Sequence, residues 1–153
     1  MKVSRSILFG FLWISIFAAG GCDKQNKCEN IDCFTPPPYF VFNIVESENG
    51  ENVFASGLYD IKYVEVSDGD EKWVKHQYNN YPDSNFIILP EIGWTIGEAK
   101  YHIRLDGETD IELLLNMEES HENCCTFFKL IEFNMLNYPF SIIDSTGVIR
   151  VEI

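Results

Sequence analysis

The sequence predicts an all-β protein: one antiparallel β-sandwich, immunoglobulin-like or related, with a small β-barrel as the alternative architecture. Three observations carry that expectation. Short apolar segments of period two recur through residues 39–153. Gly, Asn, Asp and Pro punctuate them every eight to twelve residues or so, giving about seven to nine strands. No stretch shows a capped helical pattern. Twelve Phe, seven Tyr and three Trp supply ample material for one core.

The elements follow in order. Tyr39 to Val45 alternates, with Phe40, Phe42 and Ile44 on one face. Glu48-Asn49-Gly50-Glu51 is a hairpin turn, because Asn-Gly accepts positive φ, and Asn52 to Ala55 is expected to pair back. Tyr59 to Val66 reads as a strand whose inward pattern switches between Tyr63 and Val64, the mark of a bulge. Ser67-Asp68-Gly69-Asp70 turns the chain. Lys72 to Tyr78 and Asn85 to Leu89 are expected strands around the polar loop Asn79 to Asp83. Tyr101, Ile103 and Leu105 alternate with His102 and Arg104 before an Asp106-Gly107 turn. Ile111, Leu113, Leu115 and Met117 alternate with polar neighbours, Leu114 excepted. Cys124 to Met135 is apolar throughout, and its strand reading competes with a helical spacing of Phe127, Leu130, Ile131 and Asn134. Val148 to Ile153 closes the chain with Ile149, Val151 and Ile153 on one face.

Ahead of the strands lies a targeting segment. Lys2 and Arg5 open a basic stretch, Ile7 to Ala19 form an apolar run, and small residues lead into Cys22. The order is that of a secretory signal. As a helix the run is only ~20 Å long, too short to span a bilayer. Ala19-Gly20-Gly21-Cys22 resembles the cleavage box of bacterial lipoproteins, although Ala19 is smaller than the residue usual there. That resemblance implies that Cys22 becomes the new N-terminus and carries a diacylglycerol. Residues 1–21 are then the signal and residues 22–38 a lipidated polar tether, stiffened by Pro36-Pro37-Pro38, with a reach of at most ~55 Å. Residues 39–153 are the sandwich. The layout resembles small envelope lipoproteins of the Bacteroidota type. It implies a lipid-anchored place in the cell envelope at the outer membrane, with the periplasmic and surface-facing sides both open, and it carries no catalytic residue across.

Charge narrows the partners. The chain has 24 acidic residues against 11 Lys and Arg, a net charge of −13, which becomes −15 when Lys2 and Arg5 leave with the signal. Nucleic acid and anionic headgroups are poor partners for such a surface. The membrane is met through the lipid, and the remaining partner is an envelope protein or an extracellular ligand.

Five cysteines in an exported chain invite pairing. With Cys22 lipidated, Cys28, Cys33, Cys124 and Cys125 remain, and pairing Cys124 with its neighbour Cys125 requires a strained ring. Bridges from the N-terminal pair to the later pair are expected, closing loops of ~90 residues and contributing about 4 kcal/mol each. The alternative is a metal site, built from His121, Cys124 and Cys125 with Cys28 and Cys33. Its spacings are poor for zinc, and no metal or other cofactor is expected. Asp68-Gly69-Asp70-Glu71 lacks the spacing of a calcium loop and is explained by its turn. Glu118 to Glu122 reads as a solvated loop, and His102 as a solvated imidazole on a polar strand face.

No nucleophile elbow, phosphate loop or His-Glu-x-x-His motif occurs in the sequence. The leading expectation is therefore a non-enzymatic lipoprotein that binds or braces through its sandwich. A glycan-binding module using Trp73, Tyr78, Tyr81 and Trp94 is the alternative, and a small hydrolase with paired carboxylates stands third. In so Phe-rich a domain, Trp73 and Trp94 are expected first in the core.

Overall fold

A computed structural model describes residues 33–153 apart from 82–83, 123–124 and 144. The signal segment and residues Cys22, Cys28 and Cys124 lie outside that range, as does the side chain of Tyr81. The described chain is all-β. In chain order the strands are β1 (Phe34–Thr35), β2 (Phe40–Val45), β3 (Glu65–Asp68), β4 (Gln77–Tyr81) and β5 (Ser84–Leu89). β6 (Gly97–Leu105), β7 (Thr109–Glu122), β8 (Cys125–Met135), β9 (Phe140–Ile143) and β10 (Val148–Glu152) follow.

They form two five-stranded sheets, one ordered β1-β8-β7-β6-β3 and the other β4-β5-β2-β10-β9. The two sheets do not close on one another, which sets the barrel alternative aside. Alternation explains why they stack. Val66, Ile103, Leu105, Ile111, Leu113 and Leu115 from the first sheet join Phe42, Ile44, Ile87, Leu89, Ile149 and Val151 from the second in one buried cluster. Apolar burial of this kind contributes about 25 cal/mol per Å² and dominates the stability of the domain. Phe133 links the sheets along one side, 6.1 Å from Phe40 and 5.3 Å from Phe140 between ring centres.

The sheets are mixed rather than purely antiparallel. β10 runs parallel to β2, and β1 runs parallel to β8. A parallel pair cannot be closed by a tight turn; here all the intervening strands separate the partners, so local sequence gives no sign of the pairing.

Several elements differ from expectation. Asn52 forms only an isolated bridge to Val45 before the chain turns. The expected strand at Tyr59 is instead a 3-10 turn at Ile61–Tyr63, capped by the Asp60 carboxylate, which accepts from the Lys62 N–H at 3.0 Å. β4 begins at Gln77, and Asn79 to Tyr81, expected in a loop, continue it. β8 is a strand, not a helix. Its register shifts opposite Asn116/Met117, leaving Ile131 as an extra, exposed residue.

The leader joins the sheet earlier than the strand pattern suggested. Cys33 lies at disulfide distance from Cys125, with Cα atoms 4.6 Å apart. This is one of the cross-pairings left open by the sequence. The ladder of β1 with β8 (Phe34 opposite Thr126, Thr35 opposite Phe127) continues from that contact. Pro37 is buried, close to Gly93. Residues 33–38, at the end of the expected tether, thus pack on the sandwich.

Candidate functional site

The first sheet buries one face in the core and turns the other outward. Cross-strand register sets the order of side chains on that outer face: Glu65 stands opposite Arg104, which stands opposite Asp110. In the next row Ser67 faces His102, which faces Glu112. Of these residues His102, Arg104, Asp110 and Glu112, with Lys100, form a polar network. His102 Nδ1 lies 3.0 Å and 3.1 Å from the two Asp110 carboxylate oxygens, and Arg104 Nε lies 3.9 Å from the same group. The Lys100 ammonium pairs with Glu112. That hydrogen bond holds the Glu112 carboxyl below its ordinary value against a smaller opposing effect of desolvation. Asn137, just past β8, donates to the Asp110 carbonyl at 2.6 Å and accepts from the Glu112 N–H at 3.0 Å, fixing the edge of β7.

Beside this network the Asp68–Glu71 turn folds the chain back along β3. The Asp68 carboxylate accepts from the N–H groups of Asp70 and Lys72 at 3.0 and 2.9 Å. Glu71 takes the left-handed conformation, with φ 61°, that closes the turn. Lys72 also pairs with Asp70, a hydrogen bond that raises the lysine above its ordinary value. The returning chain bridges to β3, with Trp73 opposite Ser67. Its indole is thereby held at the sheet edge, 69 % exposed.

Tyr63 ends the 3-10 turn nearby. Val64 after it is buried, so the backbone is anchored while the phenol stays 61 % exposed. Tyr63 and Trp73 wall an open groove of about 410 Å³, with Lys62, Glu65, His76 and the Asp106 turn completing it. Glu65 belongs both to this groove and to the row containing Arg104 and Asp110. The groove and the polar network therefore adjoin.

Of the aromatic residues named from sequence, the described Trp73, Tyr78 and Trp94 do not converge. Trp73 is in the groove. Tyr78 is 46 % exposed on β4, in the second sheet. Trp94, 43 % exposed, follows β5 and meets Phe128 edge-on at 5.3 Å. The expectation that Trp73 and Trp94 belong to the core is corrected: the Asp68 turn brings Trp73 back along the open edge of β3, and Trp94 follows the turn after β5. Sequence reasoning missed Tyr63, Glu65, His76 and Asp106 as neighbours of Trp73. The available signal was Val64 and Val66, whose inward spacing puts Tyr63 and Glu65 on the other side.

The outer face fits two chemical readings poorly. His102, Asp110 and Glu112 bring one nitrogen and two carboxylates within 4.8 Å of one another. Both carboxylates already accept from cations or the imidazole, so a divalent ion would displace Lys100 and Arg104 rather than fill an unmet charge. Ser67, His102 and Asp110 lie on successive strands in the order of a nucleophilic triad. The buried Ser67 hydroxyl, however, has no hydrogen-bond partner among the described residues, so the His102 imidazole does not engage it. His121, outside this face, contacts Glu119 at 3.5 Å and Thr126 at 3.2 Å. No family model, curated protein or solved structure matches the chain.

Proposed function

We propose that this chain is a lipid-anchored envelope protein that binds a ligand on the outer face of its first sheet without turning it over. The observation that carries the reading is the pair of exposed rings, Tyr63 and Trp73, fixed around one groove. Large aromatic surface left in water does nothing for folding and is a common feature of binding surfaces. The anchor rests on Ala19-Gly20-Gly21-Cys22, and the outer membrane of a Bacteroidota-type envelope is its expected home. The fold is read as immunoglobulin-related, supported by two stacked sheets and by the last strand lying beside the first long one.

The position of the leader supports an outward-facing groove. Cys33 meets β8 at Cys125, the end of the β7–β8 hairpin. The Asp106 turn that borders the groove lies at the other end of the same sheet. At ~3.4 Å per residue, β7 runs ~44 Å between those ends. Cys33, the described residue nearest the proposed anchor in sequence, thus lies at the end of the sheet remote from the groove.

The test is metabolic labelling of the full chain with a fatty-acid analogue, beside Cys22→Ser. Label in the membrane fraction, lost in the variant, is the expected result. An unlabelled wild-type chain refutes the anchor. Protease treatment of intact and lysed cells then assigns the side of the membrane.

A further inference from the structure

We infer that the Tyr63–Trp73 groove takes sugar rings of a neutral polysaccharide, an inference that deepens the ligand-binding reading and rests on it. A pyranose presents an apolar C–H face and a rim of hydroxyls. The groove presents the matching pair of surfaces. Tyr63 and Trp73 are its two most exposed rings, and among the described residues neither stacks on another aromatic. Glu65 and Asp106 offer hydrogen-bond acceptors beside them, Lys62 offers a donor, and the His76 ring can serve as either.

Charge and shape select among ligands. Among the described residues the groove carries one cation, Lys62, itself 4.0 Å from the Asp60 carboxylate, against the carboxylates of Glu65 and Asp106, in a chain of net charge −13. Phosphorylated, sulfated or uronic ligands are repelled. A quaternary ammonium would gain from the rings, but its methylated head offers no hydrogen bond to Glu65, Asp106 or His76. A neutral polyol meets neither penalty and uses donors and acceptors together. The space of about 410 Å³ is open rather than enclosed, which suits a chain lying across the sheet more than a buried monosaccharide. The polar row from Glu65 to Arg104 and Asp110 extends the hydrogen-bonding surface along the same face.

The experiment uses the full acylated chain in detergent, titrated by calorimetry with soluble β-glucan, α-mannan, xylan and galactan. Polygalacturonate and choline are the charged comparators. Saturable binding to at least one neutral polymer is expected, with Trp73→Ala and Tyr63→Ala each weakening it by about thirty-fold or more, the size of an aromatic hot spot. Trp94→Ala should leave it unchanged. Both groove residues are exposed, so the variants should keep the parent melting temperature, and this is checked on the same samples. Absence of binding to all four neutral polymers overturns the inference. So does binding indifferent to Trp73 and Tyr63, or binding of choline or polygalacturonate in their place. Mass analysis of Cys22 on the same preparation separates the two claims. An acylated protein that ignores sugars sinks the groove alone, whereas an unacylated one sinks the anchor alone.

Discussion

Breaking the Cys33–Cys125 link should cost far more than the two-residue strand it secures. The link joins residues 92 apart in sequence. In the chain-entropy model, a loop of that length restricts the unfolded chain by about 4.6 kcal/mol at 25 °C. For a domain of about 120 residues, unfolding entropy near 2.1 cal/mol/K per residue converts this to a fall in Tm of roughly 18 °C. Little native structure depends on the link directly: two register pairs in β1 and one hydrogen bond from the Thr126 N–H to the Cys33 carbonyl at 3.3 Å. The effect should therefore act mainly through the unfolded state. The assay is urea denaturation of Cys33→Ser/Cys125→Ser against its parent, both carrying Ser at positions 28 and 124 to prevent reshuffling. A fall of about 4 kcal/mol with a raised m-value is expected, because the unlinked unfolded chain expands. The Thr126 amide should also lose hydrogen-exchange protection. A loss below about 1 kcal/mol with an unchanged m-value would show that loop closure is not what the link supplies.

Three further changes test the packing. Ser67→Ala removes a buried hydroxyl that has no partner among the described residues, so it should be neutral or stabilise by about 1 kcal/mol in urea melts, and a clear loss would reveal a further partner. Gly93 has φ +88°, and a side chain there would meet Pro37 at 3.0 Å and Phe40 at 3.3 Å. Gly93→Ala should cost about 2 kcal/mol or more, read as a lower Tm; tolerance would mean that the leader does not pack there. Lys100 depresses the Glu112 carboxyl, so the pair stabilises the fold above the unfolded carboxylate value near 4.3 and loses that contribution as pH falls through the lower folded value. Glu112→Gln should therefore flatten the acid limb of stability between about pH 5 and 2, measured by urea midpoints, and an unaltered limb would refute the assignment.

What the sequence made legible follows from the physics of alternation. β2, β6 and β7 were readable because one face is buried without interruption, from Phe40 to Ile44 and from Tyr101 through Met117. β8 was ambiguous for a specific reason. The extra residue Ile131 moves the inward set from Met135 and Phe133 to Leu130. That one-residue shift puts a spacing of three between Leu130 and Phe133 where a regular strand has two, which breaks the alternation that marks a strand. β9 was not foreseen, since its short edge segment exposes Ile142 and Ile143 and buries little. Tyr59 to Tyr63 misled because a 3-10 turn, like a strand, can place one side chain inward and the next outward. The groove was only partly legible: Trp73 was singled out, but its neighbours arrive from the 3-10 turn, from β3, from the segment before β4 and from the Asp106 turn. Only tertiary structure joins segments so separated in sequence.

The outer face of the first sheet invites over-reading, and its two halves carry different weight. An antiparallel sheet with one buried face has a polar opposite face for ordinary reasons of solvation. Lys100, His102, Arg104, Asp110 and Glu112 satisfy one another across the strands, so solubility and cross-strand pairing account for them without a ligand. The rings are different. Leaving Tyr63 and Trp73 exposed forgoes the apolar burial each would contribute in the core, and polar residues would serve as well at a turn end. Their backbones are nevertheless held firmly, one by the capped 3-10 turn and the buried Val64, the other by the Asp68 turn and the bridge to Ser67. Exposed aromatic surface on rigid supports is the form of a preorganised contact, because little side-chain or loop entropy remains to be lost on binding. Tyr63 and Trp73 are therefore the residues that solvation and cross-strand pairing leave unaccounted for, and the proposed binding stands or falls with them.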